Sequence, residues 1–206
     1  MNLIINDTDH PLIIKVASIQ SARVQVYFID NDDYFGKRLI ERDEAGVEYE
    51  DNGERAIFFA RGVLETVKKL RWVPDIIHCQ GWMSSVVPFY VKTAYRDEPS
   101  FADAKVVTSL YSKTLKDSFA GDFKQFVEFR DAKADLLGDY KDQFDFDELS
   151  KLAIDYSDGV IQAAPDVEKA LVDFAAGKNI PVLGYNEDFA DAYETFYESL
   201  FPDENE

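Results

Sequence analysis

Hydrophobic positions change their period along the chain, and each period predicts a different kind of element. Residues 11–19 are rich in isoleucine and valine, and residues 23–29 alternate between apolar and polar side chains, with residues 20–22 between them. Alternation of this kind predicts a β-hairpin or two neighbouring strands. A polar loop over residues 30–53 follows.

A helical period begins after that loop. One apolar stripe, at spacings of four, three, four and three, consists of Ala56, Ala60, Val63, Val67 and Leu70. This spacing predicts an amphipathic helix running to about residue 71. Asn52 is the predicted N-cap, with Glu54 in the first turn.

Short apolar runs later in the chain predict strands, and the segments between them predict helices. The predicted strands cover residues 76–79, 105–110, 159–163 and 180–183. The predicted helices cover 83–95, two pieces of 117–150, 165–177 and 186–200, before a frayed acidic tail from Pro202 onward. This alternation predicts an α/β fold, a Rossmann-like parallel sheet with helices on both faces, in a single domain over residues 1–206.

Composition and charge narrow the classes of partner. The 206 residues are 46% hydrophobic, enough for a sizeable core. The net charge is −18; residues 1–116 carry 17 acids and 15 bases, and residues 117–206 carry 23 acids and 7 bases. A surface this acidic repels phosphate backbones, so nucleic acids and anionic membranes are poor partners.

The chain also has features expected of a cytoplasmic protein. Cys79 is the only cysteine, so no disulfide can form within the chain. Residues 1–6 lack the basic and apolar regions of a signal peptide. No apolar run approaches the roughly 20 residues of a spanning helix.

Polar and aromatic side chains follow the predicted strand 76–79. Ligands of open α/β sheets bind beyond the carboxyl ends of the strands, where His78, Gln80 and Trp82 would lie. An indole can stack on a pyranose and an amide can bind hydroxyl groups, which suits a sugar. In the alternative interpretation, which the residues alone favour, His78 is a satisfied strand residue and Trp82 packs on the next helix. Cys79 is expected to be a small buried residue.

Two acidic residues offer a weaker candidate for metal chemistry. Asp30 and Asp32 could hold a divalent metal and a sugar-nucleotide diphosphate, but such short spacings are common and a solvated turn is the better explanation. No phosphate-binding glycine loop of the usual kinds is present. We therefore expect neither a metal nor a cofactor.

Three segments together resemble a known family. They comprise residues 26–31 with 49–55, residues 72–82 (WVPDIIHCQGW) with 87–92, and residues 156–165. Their order and spacing over residues 24–165 resemble the N-terminal domain of bacterial glycogen synthases and plant starch synthases, glycosyltransferase family 5. Segment 72–82 is the most specific of them.

The resemblance implies a fold and an activity. Enzymes of this family have two Rossmann-like domains, the GT-B arrangement, and move glucose from ADP-glucose to the non-reducing end of an α-1,4-glucan in glycogen metabolism, without a metal. It also implies that Asp51, Asn52 and Arg55 lie beside the sugar cleft and that His78, Gln80 and Trp82 line it. An α-glucan or a sugar nucleotide is the implied partner.

The departures from the family pattern predict a loss of catalysis. The family's lysine–glycine–glycine donor loop has no counterpart here, and neither does its second domain. Gln80 and Gly81 stand where the family has histidine and aspartate, and glutamine cannot carry a proton at neutral pH. No catalytic residue is then intact, and the isolated chain should be inactive. The alternative function is a non-catalytic α-glucan-binding or regulatory domain.

A missing first strand would leave the predicted sheet with an unpaired edge. Four explanations stay open at this point: residues 3–5 fill the place, the first hairpin fills it, another chain or second copy covers it, or Met1 is not the true start.

Overall fold

Two antiparallel hairpins open the computed structural model, which describes residues 1–202. The first pairs β1 (Asn2–Ile5) with β2 (Thr8–Pro11), and the second pairs β3 (Ile13–Ile19) with β4 (Val24–Asp30). The second hairpin is the one that the alternating pattern predicts. Most of the predicted frayed tail, residues 203–206, lies outside the described residues.

One face of the β3–β4 hairpin exposes several apolar side chains to solvent, with Lys15 opposite Phe28. The register sets Ala17 opposite Val26 and Ile19 opposite Val24 on the face that also carries Phe28. Phe28 is 52% exposed, and Ile19 and Val24 are nearly as exposed. On the opposite face Ile14 and Ile29 pack toward the first long helix, whereas Val16 and Gln25 are exposed.

A parallel sheet of four strands forms the centre of the fold. Its strands are β5 (Ile76–Gln80), β6 (Lys105–Leu110), β7 (Gly159–Gln162) and β8 (Val182–Leu183), in that spatial order. Neither hairpin joins this sheet, so β5 is its edge strand within residues 1–202. The expectations that residues 3–5 or the hairpin predicted over residues 11–29 fill the missing place in the sheet are therefore wrong.

Helices cover both faces of the sheet, which confirms the predicted α/β architecture. The larger core lies under α2 (Asn52–Leu70), α3 (Val87–Lys92), α5 (Phe146–Asp155) and α6 (Lys169–Gly177). On the opposite face, α7 (Phe189–Glu198) sets Phe196 against Val107 and Ile161. No helix in the described part of the chain has the length and apolar character needed to cross a membrane.

The first long helix, α2, is more deeply buried than a single stripe predicts. Its first half is enclosed by β1, β4 and α3, so Ile57 and Phe58 are buried as fully as Ala56, whereas Leu70 at the far end is exposed. Asp51, not Asn52, occupies the N-cap position. Asn52 lies inside the helix, and its side chain bonds to a distant loop instead.

Three other predicted helices are shorter or displaced. Predicted helix 83–95 is a 3₁₀ turn followed by α3, which has Pro88 in its first turn, where proline costs no hydrogen bond. Over 117–150 only α4 (Phe123–Phe126), a 3₁₀ turn at Ala134–Leu137 and the start of α5 are helical. Its aromatic residues instead pack into the core through side-chain stacking. Pro165 precedes α6 by several residues.

Candidate functional site

A cleft of about 410 Å³ opens at the carboxyl ends of β5 and β6, where the sequence places a ligand site. Most of the side chains that line it carry hydroxyl, amide, aromatic or aliphatic groups. The lining residues are Ile40, Glu41, Gln80, Gly81, Trp82, Met83, Ser85, Thr108, Ser109, Leu110, Tyr111, Ser112, Thr114, Phe146 and Ser150. Of the six residues predicted for the site, Gln80 and Trp82 line this cleft directly.

Gln80 is held at the mouth of the cleft by the turn that follows β5. Gly81 has φ of +77°, a conformation that residues with a side chain rarely adopt. The Ser84 hydroxyl donates to the carbonyls of Gln80 and Gly81, at 3.0 and 2.9 Å. This turn leaves the Gln80 side chain exposed.

His78, two residues before Gln80 on β5, lies deeper than the mouth of the cleft and helps to orient the Gln80 side chain. Its Nε2 is 2.7 Å from the Ser109 hydroxyl, and its Nδ1 is 2.7 Å from the Tyr197 hydroxyl and 3.3 Å from the Gln80 amide nitrogen. A consistent set of donors has Nδ1 accepting from Tyr197 and Gln80 while Nε2–H donates to Ser109. Burial lowers the pKa of His78, which favours this neutral form.

Trp82 forms the wall of the cleft from inside the core. Only 7% of its surface is exposed, and it belongs to the main hydrophobic cluster beneath α2. Little of the indole ring is therefore free to stack on a sugar. Trp82 is buried, as in the alternative interpretation, but the turn that carries it packs on the earlier helix α2.

Tyr111 is the exposed aromatic residue that sequence analysis missed. It is 37% exposed, lines the cleft, and its hydroxyl donates to Gln80 Oε1 at 3.1 Å. Its position one residue after β6 could have identified it, because that is again the carboxyl end of a parallel strand.

Arg55 acts on the cleft through a loop and not by facing it. The guanidinium is 1% exposed and donates to the carbonyls of Tyr34, Leu39 and Ile40 at 3.0, 3.1 and 2.8 Å. A fourth bond, of 2.7 Å, goes to Asn52 Oδ1. Burial lowers the pKa of Arg55, since a charge is poorly solvated there.

Asn52 and Asp51 hold the same loop from two other points. Asn52 donates to the Glu41 carbonyl at 2.9 Å, and Asp51 forms a two-pronged ion pair with Arg38 at 2.6 and 2.7 Å. The Arg38 guanidinium also lies 4.1 Å from the centre of the Tyr49 ring. The loop carries Ile40 and Glu41 into the cleft, so all three predicted residues act by shaping its wall.

The charge of the cleft is the most informative of its properties. None of the described residues that line it is lysine, arginine or histidine. Its acid, Glu41, pairs with Arg42 at 3.3 Å. A diphosphate entering the cleft would meet no cationic side chain in the lining, whereas a neutral polyhydroxylated ligand needs none.

The other candidate chemistries find no geometric support. Asp30 pairs with Lys15 at 2.5 Å, and Asp32 begins the short helix α1 (Asp32–Phe35). Within residues 1–202 no group of three or more His, Cys, Asp or Glu is placed to hold a metal ion. Cys79 faces away from His78 into the core, where burial raises its thiol pKa to about 12.

Sequence comparison finds relatives over most of the chain. The pattern that defines the starch synthase catalytic domain matches residues 3–181. Glycogen synthase of Chlorobium luteolum is 40% identical over 100 residues, 48% of this chain and 20% of that protein. Glycogen synthase of Chlorobaculum parvum is 30% identical over 159 residues, 77% of this chain and 32% of that protein.

The fold has a counterpart among solved structures. The catalytic domain of starch synthase IV from Arabidopsis thaliana, bound to ADP and acarbose, superposes with a TM-score of 0.66 at 15% identity. The superposition covers 89% of this chain and 38% of that one. The matched regions span about a fifth to two fifths of the length of these relatives.

Proposed function

Because the chain belongs to the starch and glycogen synthase family of glycosyltransferases, we propose that its cleft binds an α-1,4-glucan without transferring glucose by itself. In this family the reaction is glucosyl transfer from ADP-glucose. The proposal assigns this chain to the glucan side of that reaction, as a binding or regulatory domain.

The observation that carries the proposal is a cleft with amide, hydroxyl and aromatic groups and no cation among its described lining residues. Gln80 keeps one amide hydrogen and one lone pair free after bonding His78 and Tyr111. These groups suit the hydroxyls of a sugar, and the exposed Tyr111 ring suits its apolar face. Ligand sites commonly combine an apolar lining with a few fixed polar groups of this kind.

The same cleft argues against catalysis by the chain alone. Leaving-group charge in a transfer from a nucleotide sugar must be stabilised, and such electrostatic interactions are usually the largest contribution to catalysis. Gln80 has no ionisable group, and His78 beneath it is engaged on both ring nitrogens. The proposal therefore includes no proton transfer at either residue.

A second candidate, an enzyme subunit completed by another chain, is supported by the open edge of β5. Lys105 N–H donates to the Asp75 carbonyl at 2.9 Å, and the register pairs Ile77 with Val106. Bonding alternates along a strand, so His78 and Gln80 direct their backbone groups away from β6. In this candidate a strand of a partner chain, or of a second copy, binds there.

We also place the protein in the cytoplasm as part of this proposal. The support is Cys79, a free and buried thiol of the kind that reducing compartments maintain.

Replacing Gln80 with alanine should weaken glucan binding about five- to tenfold. One direct hydrogen bond contributes about 1 kcal/mol, and the Tyr111 hydroxyl loses its acceptor as well. Affinity electrophoresis in glycogen gels measures the effect. Gln25→Ala, an exposed glutamine on the β3–β4 hairpin, is the matched control. Equal retardation of the Gln80 variant and the parent chain would count against the proposed site.

Backbone amide exchange should differ between the open edge of β5 and the paired strand β6 beside it. In the dilute chain we expect the His78 amide to exchange at least about tenfold faster than the Val107 amide, since only the latter lies between paired strands. Amide exchange followed by NMR gives both rates at once. Strong protection of His78 in the monomer would refute an open edge.

A further inference from the structure

A second hollow, of about 300 Å³, lies past the carboxyl end of β7, at the same carboxyl-end edge of the sheet as the cleft. Its lining residues are Gln162, Ala163, Tyr185, Asn186, Glu187, Phe189 and Tyr193. Phe189 is 59% exposed and Tyr185 is 42% exposed. We call Tyr185, Phe189 and Tyr193 the aromatic ledge; all three lie beyond residue 181, where the family match ends.

The ledge is continuous with the cleft through side-chain contacts. The Tyr193 ring lies 5.8 Å from the ring of His78, which in turn contacts the Gln80 amide. On α7, Phe189 and Tyr193 are four residues apart, so they share one face of the helix, with ring centres 5.6 Å apart. These contacts link Gln80 to Phe189 through His78 and Tyr193.

The chemistry of the hollow resembles that of the cleft. The Gln162 side chain donates to the Ala164 carbonyl through Nε2, and Asn186 Oδ1 accepts from the Asp188 N–H. Within residues 1–202, the other polar atoms of these two side chains, Gln162 Oε1 and Asn186 Nδ2, make no hydrogen bond. None of its described lining residues is cationic, and Glu187 is acidic. A fitting ligand is uncharged and offers both hydroxyl groups and apolar faces.

We propose that the aromatic ledge binds the next glucose units of an α-glucan whose end occupies the cleft. This inference rests on the proposed function, since it extends the ligand of that cleft. The exposed rings stack on successive pyranose faces, and the free amide groups bond their hydroxyls. A longer glucan therefore binds more tightly than one that fills the cleft alone.

Calorimetric titration with maltotriose and maltoheptaose tests this. The double variant Tyr185→Ala/Phe189→Ala should bind maltoheptaose about tenfold more weakly and maltotriose unchanged, whereas Gln80→Ala should weaken both. Phe28→Ala, an equally exposed phenylalanine on the β3–β4 hairpin, is the control and should change neither. Both ledge side chains are exposed, so circular dichroism should show an unchanged fold.

The outcomes separate the two proposals. If the ledge variant binds maltoheptaose as the parent does, while Gln80→Ala weakens both sugars, the ledge is refuted and the cleft stands. If the parent chain binds maltoheptaose no better than maltotriose, the ledge is refuted as well. If the parent chain binds neither sugar, both proposals fail.

Discussion

Arg55→Ala is expected to lower the free energy of unfolding by about 2–4 kcal/mol, because it removes a buried side chain that makes four hydrogen bonds to neutral groups. The change removes the donors for the buried carbonyl of Tyr34 and for the partly buried carbonyls of Leu39 and Ile40. Urea unfolding followed by tryptophan fluorescence measures the loss as a lower midpoint.

Two control variants test whether the loss of stability comes from the hydrogen bonds of Arg55. Arg96→Ala removes an arginine that is 61% exposed and pairs with exposed acids, so its effect should stay below about 0.5 kcal/mol. Arg55→Lys keeps the charge but not the planar fork, and should recover only part of the loss. An unchanged midpoint for Arg55→Ala would show that the loop does not depend on this guanidinium.

The second large expected effect is an absence of transfer. The polypeptide of residues 1–206 should incorporate glucose from ADP-glucose into glycogen at least about 10⁴-fold more slowly than glycogen synthase of Chlorobium luteolum. Each missing stabilising group can cost about 10²–10³ in rate, and the cleft offers no cation among its described lining residues and no ionisable group at Gln80. Incorporation of labelled glucose over a blank is the measurement.

A gain-of-function variant sharpens this experiment. Gln80→His supplies a titratable ring at the mouth of the cleft but no positive charge for a diphosphate, so it should stay inactive. Incorporation by the parent chain that disappears in Gln80→Ala would contradict the proposal, because it would place catalysis at this cleft. Arg55→Ala cannot serve as that control, since its loss of structure would remove any activity.

Sequence patterns predicted the secondary-structure elements that depend mainly on residues close to one another in the chain. The β3–β4 hairpin follows from alternation over consecutive residues, and the parallel strand β5 follows from a short apolar run ended by Gln80 and Gly81. The place of the cleft follows as well, because the carboxyl ends of parallel strands meet at one edge of the sheet.

Contacts between distant residues were beyond the reach of those patterns. The Tyr197 hydroxyl meets His78 across 119 positions, and no period links the two. Arg55 was predicted to lie beside the sugar cleft, and the carbonyls 15 to 21 positions away to which it donates could not be read from any period. Residues 117–150 were predicted to be helical in two pieces, whereas the segment is mostly irregular and Phe123 stacks on Phe144, 21 positions away.

The open face of the β3–β4 hairpin has a consequence for handling the protein. The exposed apolar side chains Ile19, Val24 and Phe28 promote association between molecules, whereas the excess of carboxylates over residues 117–206 makes the molecules repel one another. Salt shortens the range of that repulsion, to about 10 Å at 0.1 M, and leaves the apolar attraction intact. Dilute buffers should therefore keep purified molecules dispersed, and concentrated salt should bring them together.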